Sequence, residues 1–571
     1  MRRIVIMASS RAGVSCATRI KTAFPGDEIN VLVPAATEEI SRKDVLSPTA
    51  RRQGTVRPDD AALAAHGIGL LETKAVSLDL EGEEVIVSTD RGSLTIRYTD
   101  LVVEVQTASR LPRIIQVADN AFSVPHQCFG QSPKALEASL DRSAKAQLPV
   151  LVAGNGMAAL DAIFLAREKG CSVLWVESPK TTVPGLDRHF TEYLLRSLED
   201  QVRRIQVDSP VAEVLSFTMD NTTITAVTLP LAGNGRPGLE DAEKGETVAV
   251  GTCLWAETFL TIHPLLREDC FILDSAGLMT ESDGKPANVH IMGSGVAVPS
   301  APLCGGGVSI SPCAGSEEMG TSVARCVAEM VCGKLSAMPG TLGTWSASMP
   351  GLSVYRAGMT EAEALSAGLD ADHATATVSL PGTGDAAMPN RLSITLVGHK
   401  EKQALLGVQV IGQGMFSSVA QGLFGMALIH LGKGSSLAAM ELCEHAGSTG
   451  ALLAQCAARL AKKCRGPVYG ITPDEFMTSL TSGADFFVLD LRPYADWQNG
   501  HLPEAHNIPI LQLKKRLPSE VPHYVPIVLV CANGNEAFAT AITLNGMGAK
   551  DLYVLDGGMD LWPYELEKEV F

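Results

Sequence analysis

Apolar residues along this chain fall mostly into short continuous runs, the pattern of strands buried on both faces, with helical stretches between several of them. The first run, Arg3–Met7, reads as a strand. A small-residue turn and a helical stretch from about Val14 follow it, then polar, irregular sequence to about Asp60. Residues 110–140 are rich in turn signals and read as a connector. At Pro149 a complete unit begins. LPVLVAGNGMAALDAIFLAREKGCSVLWVESP spells strand, Gly-rich turn, helix and strand, over the ~30 residues of a βαβ unit. Mixed short strands continue over 183–300, and a glycine turn with the Ala-rich helix TSVARCVAEMV occupies 304–333. LSITLV and LLGVQVIG read as strands and are followed by an apolar helix. AKKCRG, residues 461–466, reads as a linker, and a further α/β unit runs from there to Phe571. The repeated start at residues 3 and 149 predicts two dinucleotide-type folds in tandem.

At 571 residues the chain has room for roughly three to five domains. Hydrophobic residues at 46% and charged residues at 19% supply large cores and exclude global disorder. The net charge of −17, with no long basic run, argues against nucleic-acid binding, which needs clustered Lys and Arg. The apolar run in MRRIVIMASSRAG is too short for a signal-peptide core. Residues 404–432 hold no formally charged residue, but glutamines and glycines interrupt them. A buried strand and then an interface helix is expected there, without membrane insertion. The 13 cysteines form no CxxC pair, which predicts reduced thiols and a cytoplasmic protein. Cys304, Cys313, Cys326 and Cys332 match no zinc or iron–sulfur spacing, so no metal is expected.

Near the C-terminal end three patterns fall in order: VLDLRPYADWQNGHLPEAHNIP, VLVCANGNEA and VLDGGMDLW. In the second, apolar Ile527–Val530 reads as a buried strand ending at Cys531, and the loop Ala532, Asn533, Gly534, Asn535, Glu536, Ala537 leads into a helix. Backbone N–H groups of such a loop, with the helix N-terminus, converge on one point, where they stabilise an anion such as a thiolate. Gly534 supplies the tight curvature. Asp490 and Arg492 are expected to brace the loop from behind, and Gly557 and Gly558 to make a tight turn before Trp562. Together the three patterns closely resemble rhodanese domains. The resemblance implies sulfur transfer by Cys531, with Gly500 and His501 in a packing motif and His506 in the same frame. Rhodaneses that use thiosulfate usually carry cationic side chains in this loop. Here it holds Glu536 and no Arg or Lys, so a dianionic donor should be repelled, and a neutral or protein-bound persulfide donor is expected.

The βαβ unit carries Gly154-Asn155-Gly156-Met157-Ala158-Ala159. Gly154 makes the turn, Gly156 lets a pyrophosphate approach, Ala159 permits close helix packing, and Glu177 ends the next strand where an acid would hold a ribose diol. That set favours NAD(H). The order of parts resembles the pyridine nucleotide-disulfide oxidoreductases, specifically CoA-disulfide reductase-like proteins with a C-terminal rhodanese domain. Supporting stretches are Pro184-Gly185-Leu186-Asp187, Ala314-Gly315 with Gly320, and Leu406-Gly407-Val408-Gln409.

The resemblance implies an α/β chain. Its parts are an FAD-type Rossmann-like domain over 1–110 and 250–335, an NAD(H)-binding Rossmann domain over 145–250, an α+β dimerisation domain over 340–460 and a rhodanese domain over 467–571. It also implies a homodimer. The sequence departs from the family in the flavin half. The first turn, Ala8-Ser9-Ser10-Arg11-Ala12-Gly13, keeps one glycine, and Val33 stands where an acid is expected. Gly293-Ser294 replaces Gly-Asp at the flavin, and Glu104-Val105-Gln106 replaces an Ala-Thr-Gly-type turn. No cysteine lies between Cys16 and Cys128, where the family's redox cysteine would be, and Glu444-His445-Ala446-Gly447 offers no tyrosine. Ordinary CoA-disulfide reduction is therefore not expected, and FAD binding through Gly13, Gly293 and Ser294 stays open.

Three readings follow: a sulfur carrier exchanging sulfane sulfur with a donor or acceptor, an active flavin-dependent NADH oxidoreductase acting on persulfide, or a non-catalytic scaffold. Asp187 and His189 read as surface residues of an amphipathic helix, and His263, His290 and His430 as isolated structural histidines.

Overall fold

The computed structural model describes residues 1–8, 11–34, 60–73, 75–89, 92–105, 107–108, 118–123, 133–177, 186–198, 202–207, 211, 215–229, 246–256, 259–260, 271–273, 279–281, 286–293, 295–296, 298, 317–336, 340–380, 390–445, 447–522 and 525–568. The chain divides into two compact units. One comprises Met1–Thr182, Gln201–Ser300 and Val308–Thr341; the other comprises Val183–Asp200, Ala301–Gly307 and Leu342–Phe571.

The first unit contains two five-stranded parallel sheets. One has the order Val289–Met292, Asp100–Glu104, Arg3–Met7, Glu28–Pro34, Gly69–Thr73. Its central strands have apolar middles because helices cover them: Arg11–Ala23 and Glu317–Val331 supply Cys16, Ala17, Ile20, Val323 and Val327 to the same core. The strand Glu28–Pro34 lies inside the stretch expected to be irregular. Its charged start hid a short apolar set, Ile29, Val31, Leu32 and Val33, that is buried.

The other sheet has the order Val202–Gln206, Val173–Glu177, Val150–Gly154, Thr252–Ala256, Ala121–Ser123. The helix Gly156–Glu168 starts directly after its central strand. The expected connector gives way to a helix at Pro133–Ala146, where Leu136, Ser139, Leu140 and Ser143 recur at helical spacing and are buried.

In the second unit an antiparallel sheet has the order Trp345–Met349, Leu352–Gly358, Ala404–Gln413, Asn390–His399, Ala371–Leu380. The uncharged stretch 404–432 is a buried strand followed by the helix Ser417–Gly432. Gly414–Gly432 is long and apolar enough to cross a membrane by length and composition. In the fold it gives Ala420, Leu423, Phe424, Ala427 and Leu431 to the core over the sheet.

Two expectations are corrected in this unit. Residues 461–465 are not a linker but the last turn of the helix Gly447–Arg465, and Lys463 within them is buried. Asp187 and His189 are buried as well, although the helix that follows Asp187, Arg188–Leu198, is amphipathic as expected. In each case a partner far along the chain satisfies the polar group. Asp187 accepts from the backbone of Glu361 at 3.0 Å and from Gln409, and His189 Nε2 lies 3.2 Å from Thr375 Oγ1.

The remaining five strands form a parallel sheet in the order Val468–Ile471, Leu552–Leu555, Ile527–Val530, Phe487–Asp490, His506–Asn507. Apolar cores lie on both of its faces, which is why Ile527–Val530 is buried over its whole length.

Candidate functional site

The strand Ile527–Val530 occupies the middle of its sheet and ends at Cys531, whose side chain is 2% exposed. Gly534 then takes a left-handed conformation, φ +81°, and the helix Asn535–Gly546 begins. The loop is therefore shorter than the sequence suggests, because Asn535, Glu536 and Ala537 already form the first helical turn. Asn533 Oδ1 accepts from the Asn535 backbone at 3.0 Å, which closes the turn. The Ala537 backbone N–H donates to Cys531 Sγ at 3.4 Å, so the positive end of the helix meets the sulfur. Burial nevertheless pushes the thiol up to about 11; the Ala537 N–H opposes that rise, and the Glu536 carboxylate adds to it.

A second segment locks the loop. After the strand Leu552–Leu555, Gly557 and Gly558 both turn left-handed. The Met559 N–H donates to the Cys531 carbonyl at 3.0 Å, and the Asp560 N–H to the Ala532 carbonyl at 2.8 Å. A Cβ on Gly558 would stand 2.5 Å from the Cys531 carbonyl oxygen, 2.6 Å from that of Ala532 and 2.7 Å from the Gly534 nitrogen. Only glycine allows this approach.

Asp490 ends its strand opposite Val530. Arg492 donates to it from the backbone at 2.9 Å and from Nη2 at 2.7 Å, and also to the Gly500 carbonyl at 2.8 Å. The pair thus ties the strand behind Cys531 to the Gly500–His501 segment, where His501 stacks on Trp497 with centroids 4.1 Å apart.

On another side, groups from the antiparallel sheet and its helices meet this domain. Lys463 Nζ lies 2.9 Å from Asp556 and 3.3 Å from Asp372. His373 reaches Glu361 at 2.8 Å and Asp556 at 3.4 Å, and stacks on His189. Burial and Lys463 oppose the charge of His373, but Glu361 and Asp556 outweigh them and push it up to about 9. Its neighbour His189 is held well below the usual histidine range, by burial first and then by His373 and Lys463. Glu361, Asp372 and His373 bring ligand atoms within 4.8 Å of one another, but the Lys463 ammonium is already among them. Asp560 accepts from Ser379 at 2.8 Å and from Arg391 at 3.2 Å. Arg459 donates to the Thr375 carbonyl at 2.8 Å and to the Asn533 carbonyl at 3.4 Å. Sequence reasoning gave no role to Arg459, Lys463, Asp556 or Asp560. Asp556 and Asp560 flank the glycines of the third motif and were the available signal; the two cations had none.

In the first unit, Gly154 at φ +132° and Gly156 at φ +70° open the helix Gly156–Glu168, and Asn155 makes no side-chain cap. Trp175 Nε1 donates to the Gly154 carbonyl at 2.9 Å, and Ala159 is fully buried. Glu177 sits at the end of its strand; burial pushes its carboxyl up, opposed by Arg204 and Gln206, both of which bond Oε1. Gly154, Gly156 and Ala159 are the residues that could hold a dinucleotide pyrophosphate, while the Glu177 carboxylate at the strand end is already engaged by Arg204 and Gln206.

In the flavin half the described positions differ from those of the other unit. Ala8 holds the place of Gly154 in its unit, and it is not among the non-glycine residues with positive φ. Its methyl lies where a Cβ on Gly13 would fall, so Gly13 serves helix–strand packing. Val33 is buried in the sheet with no carboxylate to offer. Gly293, at φ +113°, is required because a Cβ would strike the Val105 carbonyl. Ser9, Ser10, Gln106 and Ser294 lie outside the described residues, as do His263, Cys128, Cys304, Cys313, Pro184, Gly185, Ala314, Gly315 and Ala446. His430 is not isolated: its Nε2 lies 3.3 Å from Cys443 Sγ.

The rhodanese-like domain family matches residues 472–564. Over 97 residues the chain is 31% identical to thiosulfate sulfurtransferase GlpE of Pseudomonas savastanoi pv. phaseolicola, covering 16% of this chain and 84% of that protein. It is 32% identical over 92 residues to the protein YqhL of Bacillus subtilis, covering 16% of this chain and 70% of that one. Two solved structures match almost end to end. An NAD-dependent persulfide reductase from A. fulgidus has TM-score 0.72 and 19% identity, over 98% of this chain and all of that one. Reduced CoADR-RHD of Bacillus anthracis has TM-score 0.75 and 16% identity, over 99% of both chains. At these identities the likeness establishes the fold: tandem Rossmann-like domains, an α+β domain and a rhodanese domain.

Proposed function

We propose that this chain, which belongs to the rhodanese-like family through residues 472–564, is a sulfur-handling protein of the oxidoreductase fold that carries sulfane sulfur on Cys531. The observation that carries the reading is Cys531 Sγ at the end of a buried strand, bonded by the Ala537 N–H at the start of a helix. In the step, the Cys531 thiolate attacks the sulfane sulfur of a donor R–S–SH. A new S–S bond forms on Cys531, the donor's S–S bond breaks, and its electron pair leaves as the thiolate RS⁻, with no net redox change. The sulfur then passes to a thiolate acceptor by the reverse exchange. Glu536 disfavours a dianionic donor such as thiosulfate, so small neutral or singly charged persulfides are the preferred class. Mass spectrometry after incubation with cysteine persulfide should show a +32 Da adduct on the Cys531 peptide, an increment of about one sulfur atom. It should vanish in Cys531→Ser; an adduct that persists at another site refutes the reading.

The Gly154–Ala159 turn and Glu177 support NAD(H) as the ligand of the first unit. The uncharged Ser417–Gly432 helix supports a homodimer, and the scattered cysteines, free among the described residues, support a cytoplasmic location.

A second reading, an FAD-dependent NADH oxidoreductase acting on persulfide, draws on the end-to-end fold likeness to a persulfide reductase. Ala8 and Val33 weigh against it. The visible spectrum of the protein after incubation with FAD, and then with NADH under anaerobic conditions, separates the two. Flavin bands that bleach support the reductase, and their absence leaves sulfur carriage or a scaffold role.

A further inference from the structure

The seven residues from Cys531 to Ala537 contain one charge, the carboxylate of Glu536, and no cation. Beyond the backbone N–H groups, a persulfide anion held there would meet side-chain positive charge only from outside the loop. The charged groups on the elements packed around it are Glu536 on its own helix, Asp556 and Asp560 on the glycine turn, the Asp490–Arg492 pair behind the strand, and Lys463, Arg391 and Arg459 from the neighbouring antiparallel domain. Lys463 is engaged by Asp556 and Asp372, Arg391 by Asp560, and Arg492 by Asp490.

Arg459 differs from these. It is buried on the helix Gly447–Arg465, and its Nη1 donates to the Thr375 and Asn533 carbonyls. A Cβ on Gly534 would lie 3.2 Å from Nη1, so the loop backbone itself covers the guanidinium. Its Nη2 is buried with no hydrogen-bond partner among the described residues. A buried guanidinium donor without an acceptor leaves positive charge behind the loop that no described acceptor meets.

We infer that Arg459, supplied by a different domain of the same chain, provides the positive charge that the Cys531 loop lacks and stabilises anionic sulfur on Cys531. It is a positioning residue, acting through the field and the Asn533 carbonyl. A guanidinium suits the task because it stays charged when buried. Burial opposes its charge, and Cys456, Asp556, Cys531 and Glu536 support it, which places the thiol and the carboxylate within its electrostatic reach. The inference deepens the sulfur-carrying reading: it predicts that this rhodanese domain works in the context of the full chain.

The test uses the full chain and iodoacetamide, a neutral probe whose rate follows the thiolate fraction, with alkylation of the Cys531 peptide read by mass spectrometry from pH 6 to 9. Arg459→Gln should slow alkylation about tenfold at every pH in that range, equivalent to about one unit of thiol pKa. Glu536→Gln should speed it, and the double variant should return toward wild type. Arg459→Lys keeps the charge on a shorter reach and should show a smaller slowing, which carries the test if the Gln variant does not fold. Equal rates in wild type and in whichever variant folds overturn the inference. The sulfur-carrying reading fails separately, when wild-type Cys531 takes up no sulfur from cysteine persulfide whatever the alkylation rates.

Discussion

Replacing Gly558 by Ala should disable Cys531 without touching it. The φ of +63° costs a side chain about 1–2 kcal/mol. The added methyl would also meet three backbone atoms at 2.5, 2.6 and 2.7 Å. Ordinary carbon–oxygen approach begins near ~3.3 Å, so the turn must retreat by roughly 0.7 Å. That retreat stretches the 3.0 Å and 2.8 Å bonds from Met559 and Asp560 to the loop carbonyls to or beyond the hydrogen-bond limit. Each bond contributes about 1 kcal/mol, which brings the total to about 3–4 kcal/mol, or two to three decades in local opening. Hydrogen exchange at the Met559 and Asp560 amides should accelerate by about that factor, and sulfur loading of Cys531 should fall with it. Gly483→Ala is the control: it shares a positive φ, +80°, but its Cβ would meet nothing within 4 Å, so it reports strain alone. Exchange and loading in Gly558→Ala that match the Gly483→Ala control would show that the turn does not hold the loop.

Other consequences are open to measurement. Lys463→Met leaves Asp556 and Asp372 without their ammonium and should destabilise the second unit by about 3–5 kcal/mol, seen by thermal unfolding; a loss below about 1 kcal/mol would deny the buried pair its role. Cys253 and Cys456 are pushed by burial to about 12 and Cys531 to about 11, against an ordinary value of 9.0. The folded state therefore holds these protons longer than the unfolded chain. Stability that is full below pH 9 should drain as pH rises from 9 toward 12, and an unfolding midpoint that stays flat across that window would contradict it. Glu177→Gln should weaken NADH binding about tenfold in a fluorescence titration, while equal affinities would place the ribose elsewhere. Glu536→Gln should raise loading from thiosulfate more than loading from a neutral persulfide, since only the dianion feels the full repulsion; equal gains would separate the carboxylate from donor choice.

What the sequence disclosed is what is encoded locally. The runs IVIM, VLVAG and IVLV are strands because nothing in them tolerates water, and the glycine turn after VLVAG sits beside its strand in the chain. Cys531 was legible for the same reason: strand end, Gly534 and helix start are consecutive. The failures share a different cause. Lys463 looks like the solvated head of a linker until Asp556, 93 residues later, closes on it. Asp187 looks like a surface acid until Gln409, 222 residues away, hydrogen-bonds it. Arg459 reaches the Asn533 carbonyl across 74 residues. Charge burial is decided by the partner, and the spacing of residues along the chain carries no record of who the partner is. The strand Glu28–Pro34 was missed for a smaller reason, a polar entry that outweighed a brief apolar centre.

On the proposed reading, the site favours sulfur that has already arrived. Burial and the Glu536 carboxylate push the Cys531 thiol up to about 11 against the pull of the Ala537 N–H, so the bare thiolate is the costly form here. A persulfide ionises more readily than a thiol and carries its charge on the outer sulfur. The groups that meet that charge are the Ala537 N–H, the helix end behind it and, on the inference above, Arg459. None of these titrates in the physiological range, and two are fixed to backbone that the Gly558 turn holds still. Glu536 raises the cost of the bare thiolate and repels dianions, which slows uninvited donors more than it harms a persulfide once formed. A carrier needs that asymmetry: reluctant loading from the wrong donor, and retention of the right cargo until an acceptor thiolate removes it.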